Sequence, residues 1–394
     1  MQHRALKFSF FFLSLILFSP SLLYATDPIP NNSKIYAWGS NTYGQLGDGT
    51  TTDRSTPIQA SELSDIVTIA AGAGYSMAIK KDSTVWAWGI NRCGELGNGA
   101  TTDSSTPVQV SGLTDVVAVA TGDDEHSMAL KKDGTVWTWG YNNYGQLGDG
   151  TTTNRSTPGQ ISGLSDVIAV AGQWFNSIAL KKDGTVWAWG DNSYGQLGDG
   201  TTIAKHTPVQ VSGLSDVITV ASGDSYSIAL KKDGTAWAWG RNNLGQLGDG
   251  TTTNRSTPVQ VSGLSDVIAI AAGANHTLVL KKDGTVWAWG YNDYGQLGNG
   301  TLGGNTPTPT PAQVLGLNDT VAIDAGELHS IALKQDGTVW VWGSNLWYQL
   351  GDGTSINRTT PVQVSGLNGV TAIVGGGMST FALTLPQNPP LSIQ

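Results

Sequence analysis

The chain has 394 residues, with 30 acidic against 21 basic side chains and a formal net charge of −9. An acidic surface repels phosphate backbones, whose binding rests on Lys/Arg neutralisation and counterion release, so no nucleic acid partner is expected. The single cysteine, Cys93, excludes an intramolecular disulfide. A chain this long can bury enough surface to fold without one, and Cys93 is expected as a small apolar core residue.

Residues 1–25 read as an address. Arg4 and Lys7 make a basic start, Phe8 to Phe18 an apolar run broken by Ser9 and Ser14, and Leu23-Tyr24-Ala25 resembles a cleavage site. This is the signal-peptide pattern, and the run is too short for a bilayer that needs ~20 helical residues. No later segment is apolar enough, so no transmembrane segment is expected. Cleavage removes two basic residues and no acid, leaving a mature chain still more acidic. A secreted protein, periplasmic or extracellular, is predicted, with residues 26–33 as linker, 34–387 as one folded domain and 388–394 as a tail.

Trp-Gly occurs at Trp38, Trp88, Trp139, Trp189, Trp239, Trp289 and Trp342, with spacings of 50, 51, 50, 50, 50 and 53 residues. Such a period marks a repeat architecture. Each copy carries the same signals, shown by Lys231-Lys232-Asp233-Gly234-Thr235-Ala236-Trp237-Ala238-Trp239-Gly240, then Gly245-Gln246-Leu247-Gly248-Asp249-Gly250, then Thr257-Pro258-Val259-Gln260-Val261. Short β-rich runs alternate with Gly, Pro, Asp and Asn clusters, and no helical period is present.

Four strands recur per unit: Val217 to Ala221, Ser227 to Leu230, Thr235 to Trp239, and Pro258 to Val261. Asp-Gly between the second and third suits a type I′ hairpin turn, with Asp82-Ser83 as the departure. In the third strand Trp237 and Trp239 share one face and Ala236 and Ala238 the other, so both faces must be covered by neighbours. The first copy begins directly at Ile35-Tyr36-Ala37-Trp38, and Ser379-Thr380-Phe381-Ala382-Leu383 supplies the strand it lacks. Pairing the two would close a ring and remove its open edges. The prediction is an all-β, seven-bladed β-propeller of four-stranded antiparallel blades, a monomer closed by its N- and C-terminal strands.

The Trp-Gly-x-Asn, Gly-Gln-Leu-Gly and Ala-Gly-x-x-His-Ser-x-Ala-Leu sequences resemble the regulator of chromosome condensation repeat family over residues 34 to 385. The resemblance implies a seven-bladed propeller and a divided set of functions. The nuclear member is an exchange factor for the small GTPase Ran, whereas other members are protein-binding scaffolds, among them secreted bacterial inhibitors of β-lactamases. Exchange activity would call on acids and histidines in the Ala-Gly-x-x-His loops, and Asp123, Asp124, Asp224, His126, His276 and His329 fall there. Tyr75, Asn176, Tyr226 and Ser379 replace histidine in the other copies, and the spacing leaves no room for the protruding wedge of that member.

No catalytic constellation emerges. The histidines lie in separate repeats without a short-range partner, so neither a metal nor a cofactor is expected. Gly-Asp-Gly-Thr segments offer one carboxylate each, which suits turns better than calcium.

Antiparallel strands put the loops that follow the first and third strands on one face. There the copies differ: Asp123, Asp124, Glu125, Gln173, Trp174, Phe175, Asp224 and Asn275 from one loop set, Tyr141, Asp191, Arg241 and Tyr291 from the other. Trp174 reads either as part of a protein-binding hot spot or as a plug in the axial channel, and Trp347 as core. The predicted function is a non-enzymatic scaffold that binds a protein or a cell-surface polymer through this face. The alternatives are a guanine-nucleotide exchange factor and a carbohydrate-binding or hydrolytic propeller.

Overall fold

A computed structural model describes residues 33–60, 63–123, 126–304 and 306–384. The signal-peptide reading of residues 1–25, most of the linker and the tail fall outside this range. The described strands form seven four-stranded antiparallel sheets. We number the blades 1 (66–109), 2 (116–160), 3 (167–210), 4 (217–260), 5 (267–313), 6 (320–363) and 7, which joins 370–384 to 34–59.

Blade 4 shows the build. Its inner strand Val217–Gly223 pairs with Tyr226–Lys231, which pairs with Ala236–Gly240, which pairs with the outer strand Arg255–Gln260. Trp239 is fully buried against Ile178, Leu180 and Ala188 of blade 3, while Ala236 and Ala238 on the other face receive Trp289 of blade 5. The alternation of large and small residues thus makes each blade a knob for one neighbour and a socket for the next.

The Gly-Gln-Leu-Gly segment completes the socket. Trp239 Nε1 donates to the Gln196 carbonyl at 2.9 Å, and the same bond links each of the seven Trp-Gly tryptophans to the blade before it. Gly198 lies in the left-handed region at φ +66°, and a Cβ there would come within 2.8 Å of Trp239 Nε1. Glycine is needed both for the backbone and for the close approach of the indole.

The ring closes as the sequence predicts. Lys34–Gly39 pairs with Ser379–Thr384 in continuous register from Lys34 opposite Thr384 to Gly39 opposite Ser379. One blade therefore holds both ends of the folded domain, and the second and third strands of blade 7 come from opposite ends of the chain.

Three local expectations are corrected. The hairpin between second and third strands has a three-residue loop: Gly234 N donates to Lys231 O at 3.0 Å and Lys231 N to Thr235 O at 2.9 Å. Only Gly234, at φ +78°, is left-handed, so this is a type I turn with a glycine bulge and not type I′. Ser83 adopts the same geometry at φ +64°, so the departure is in residue type and not in shape. Cys93 and Trp347 occupy the same position in their repeats, and neither belongs to the core. Cys93 is half-buried and Trp347 is 43% exposed, because that position lies on a loop tip.

A latch holds each outer loop. Asn41 Nδ2 donates to the Thr50 and Thr52 carbonyls and to Asp48 Oδ1, and Arg54 reaches Asp48 Oδ2 at 2.5 Å. Blades with Asp149, Asp249 and Asp352 place Arg155, Arg255 and Arg358 there, and Asp199 faces Lys205. Where Asn98 or Asn299 replaces the acid, the facing residue is Ser104 or Thr308, so charge is placed or withheld in pairs.

Candidate functional site: the loop face

The loops after the first and third strands meet on one face. In blade 4, Arg241 Nη1 donates to Asp224 Oδ2 at 2.7 Å across the two loops, and its guanidinium lies 5.4 Å from the Tyr194 ring of blade 3. Asn275 accepts from Gln246 Nε2 at 3.3 Å. Tyr291 stacks edge-on against Tyr294 at 6.1 Å, and burial first, then Asp293, raises its hydroxyl to about 12.

The junction of blades 2 and 3 is different. Phe175 packs on Tyr144 at 4.5 Å and on Tyr141 at 6.0 Å, and Trp174 meets Phe175 edge-on at 5.8 Å. Phe175 and Tyr141 are half-buried and hold the group together, whereas Tyr144 is 41% and Trp174 37% exposed. Trp174 takes a left-handed φ of +40°, uncommon for a bulky residue. Gln173 lines the axial cavity, whereas Trp174 is not among its lining residues.

Other predicted members of the face turn inward. Asp123 is 4% exposed with φ +56°. Asp191 is buried and accepts from Ser193 Oγ at 2.6 Å and Gln196 Nε2 at 2.7 Å, which braces its own loop. Asp124 and Glu125 lie outside the described residues.

The loop histidines are fully buried. His126 Nε2 meets Ser177 Oγ, His276 Nε2 meets Ser330 Oγ and His329 Nε2 meets Thr380 Oγ1, each in the next blade. Burial pushes His126 down to about 4, against a smaller pull from the Trp174 backbone, and His276 and His329 down to about 3. These rings are neutral ties between blades. Among the described residues no cluster of three His, Cys, Asp or Glu side chains could hold a metal, and no helix is long and apolar enough to cross a membrane.

Residues 28–261 and 204–387 match the RCC1-like domain, which spans nearly the whole described chain. The chain belongs to this family. Among solved structures it is similar to human WBSCR16, with TM-score 0.80 and 25% identity over 89% of this chain and 98% of that one. It is also similar to Prp20p of Saccharomyces cerevisiae, with TM-score 0.79 and 25% identity over 91% and 92%. The ultraviolet-B receptor UVR8 of Arabidopsis thaliana is 32% identical over 146 residues, which make up 36% of this chain and 33% of the receptor. The match thus spans about a third of that relative.

Within this RCC1-like ring the opposite face is alike in six of the seven blades. In six blades the lysine before the hairpin turn lies 5.5–5.8 Å from the half-buried tryptophan of the third strand, from Lys80 over Trp86 to Lys334 over Trp340. Tyr144 is the contributor to the aromatic group that sequence reasoning missed. Its counterparts Tyr43 and Tyr194 made it look like a repeat position, and only its contact with Phe175 sets it apart.

Proposed function

We propose that this RCC1-like propeller is a non-enzymatic, secreted scaffold that binds a protein through its loop face. The observation that carries the reading is the aromatic group at the junction of blades 2 and 3. Trp174 and Tyr144 offer exposed rings on a base fixed by Phe175 and Tyr141. Pre-ordered aromatic anchors of this kind dominate protein interfaces. The repetitive turn face offers nothing comparable to an asymmetric partner. Among similar propellers, yeast Prp20p is described by its binding to Gsp1p and histones.

The burial of Asp123, His126, His276 and His329 speaks against nucleotide exchange by these side chains, because none is presented to a GTPase. The apolar run of residues 8–18 supports export.

The test is capture from the exported fraction with the purified chain, followed by titration of the captured partner. Trp174→Ala and Tyr144→Ala should each weaken binding by about 2 kcal/mol, roughly 30-fold, while Lys182→Ala on the far face should leave it unchanged. Equal losses from both faces would sink the reading. Capture of a glycan instead of a protein would assign the rings to sugar stacking.

A further inference from the structure

We propose that the loop-face end of the axial channel is a binding site for an ammonium or guanidinium group, with the Asp324 carboxylate as its counter-charge. At the fifth position of the inner strand the other blades carry Ala70, Ala120, Ala171, Ala221, Ala271 and Val374. Blade 6 alone places an ionisable group there. All seven inner strands line one cavity of about 120 Å³, and they do so with their last few residues, the end that leads into the variable loops. The cavity therefore opens on the same face as Trp174 and Tyr144.

Asp324 is 7% exposed and is held in place, since its Oδ2 accepts from Gly375 N of blade 7 at 2.8 Å. Among the described residues no lysine, arginine or histidine lines the cavity, and Asp324 is its sole titratable group. On the paired second strand the residue opposite is Ile331. A carboxylate kept among alanines without a counter-cation is strained in its charged form, and burial raises it to about 7. A cation from solvent would relieve that strain. The apolar lining suits the methylene stem of an amine, and Thr121 of blade 2 and Ser222 of blade 4 also line the cavity. A bare divalent ion does not fit, because one carboxylate is far short of the oxygen set such ions require.

Cation and proton compete for the same carboxylate. Affinity should therefore rise with pH until Asp324 is ionised, by about tenfold from pH 6 to pH 8 for a group that titrates near 7.

The experiment uses the purified full chain with four probes: Nα-acetyl-arginine methylamide, putrescine, and the neutral analogues Nα-acetyl-citrulline methylamide and n-butanol. Binding is read by calorimetry and by the shift in Tm. Saturable binding of a cationic probe at pH 8, about tenfold weaker at pH 6 and lost in both Asp324→Asn and Asp324→Ala, is expected. The Ala variant restores the residue that five other blades carry, so it should fold. Tighter binding of the blocked arginine assigns the site to a basic side chain of a macromolecule; tighter binding of putrescine assigns it to a free amine. No binding of either cation, equal response to the neutral analogues, or unchanged binding in both variants would overturn the proposal. Because no macromolecular partner enters the experiment, its outcome is independent of the scaffold reading.

Discussion

His126 of blade 2 reaches Ser177 of blade 3, Nε2 to Oγ at 2.7 Å, with its ring wholly buried at the interface between the blades. His276 and His329 make the equivalent bond to blades 6 and 7, and Asn176 does so from blade 3 to Ser222 at 3.2 Å. These ties fix how acid should act on the ring.

Each of the three histidines binds its proton near pH 6.5 when unfolded but only at about 3 to 4 when folded. Between those values the unfolded state holds more protons, so stability is full above pH 6.5 and falls as pH drops through this window. The upper bound is about 1.4 kcal/mol per pH unit per histidine. Melting followed from pH 7 to pH 4.5 should show a steep fall. A triple His→Asn variant, which copies the Asn176 tie into the other blades, should flatten it; an unchanged slope would refute the assignment.

Asp324 acts with the opposite sign. Its folded value of about 7 exceeds the unfolded 3.8, so it lowers stability progressively as pH rises from 3.8 to 7. Asp324→Asn should therefore raise Tm at pH 8 and change it little at pH 4. A loss of stability at pH 8 would mean that the bond to Gly375 N outweighs the buried charge.

Ring closure rests on the strand Ser379–Thr384 between Lys34–Gly39 and Val370–Gly375. Deleting residues from 379 onward removes the buried Phe381 and Leu383 and leaves two unpaired edges. The truncated chain should melt earlier and associate in sedimentation measurements. A monomer with unaltered melting would contradict closure by this strand.

Ser83 holds a left-handed φ of +64° where five other blades have glycine. Ser83→Gly should stabilise by about 1 kcal/mol, the cost of that conformation for a residue with a Cβ. Denaturant unfolding with an unchanged midpoint would show that Asp82, whose Oδ1 accepts from Thr84 N and Oγ1, already offsets the strain.

The outer latch predicts coupling. Asn98→Asp alone in blade 1 buries a charge with no cation at Ser104, and should be neutral or destabilising. Adding Ser104→Arg should recover stability with a coupling of about 1 kcal/mol, as for other partly buried pairs in a double-mutant cycle. Additive effects would show that the Asp249–Arg255 type of contact contributes nothing measurable.

What the sequence determined by itself was everything set by local pattern repeated in register. The alternation in Ala236-Trp237-Ala238-Trp239 requires two apolar faces, the Trp-Gly spacing counts the blades, and the complementary end strands close the ring. Each follows from the period of a strand and the need to cover both its sides. Tertiary structure alone decided what lies between blades and on the axis. A strand's period says which face a residue takes, but not whether a neighbour lies over that face. Asp123 and the loop histidines are therefore buried, while Trp347 is exposed and Cys93 only half-buried on the loop after the third strand. Tyr144 meets Phe175 across a blade junction, and Asp324 meets Gly375 at the channel, because the curvature of the closed ring brings together inner strands and loops that lie 31 and 51 residues apart along the chain.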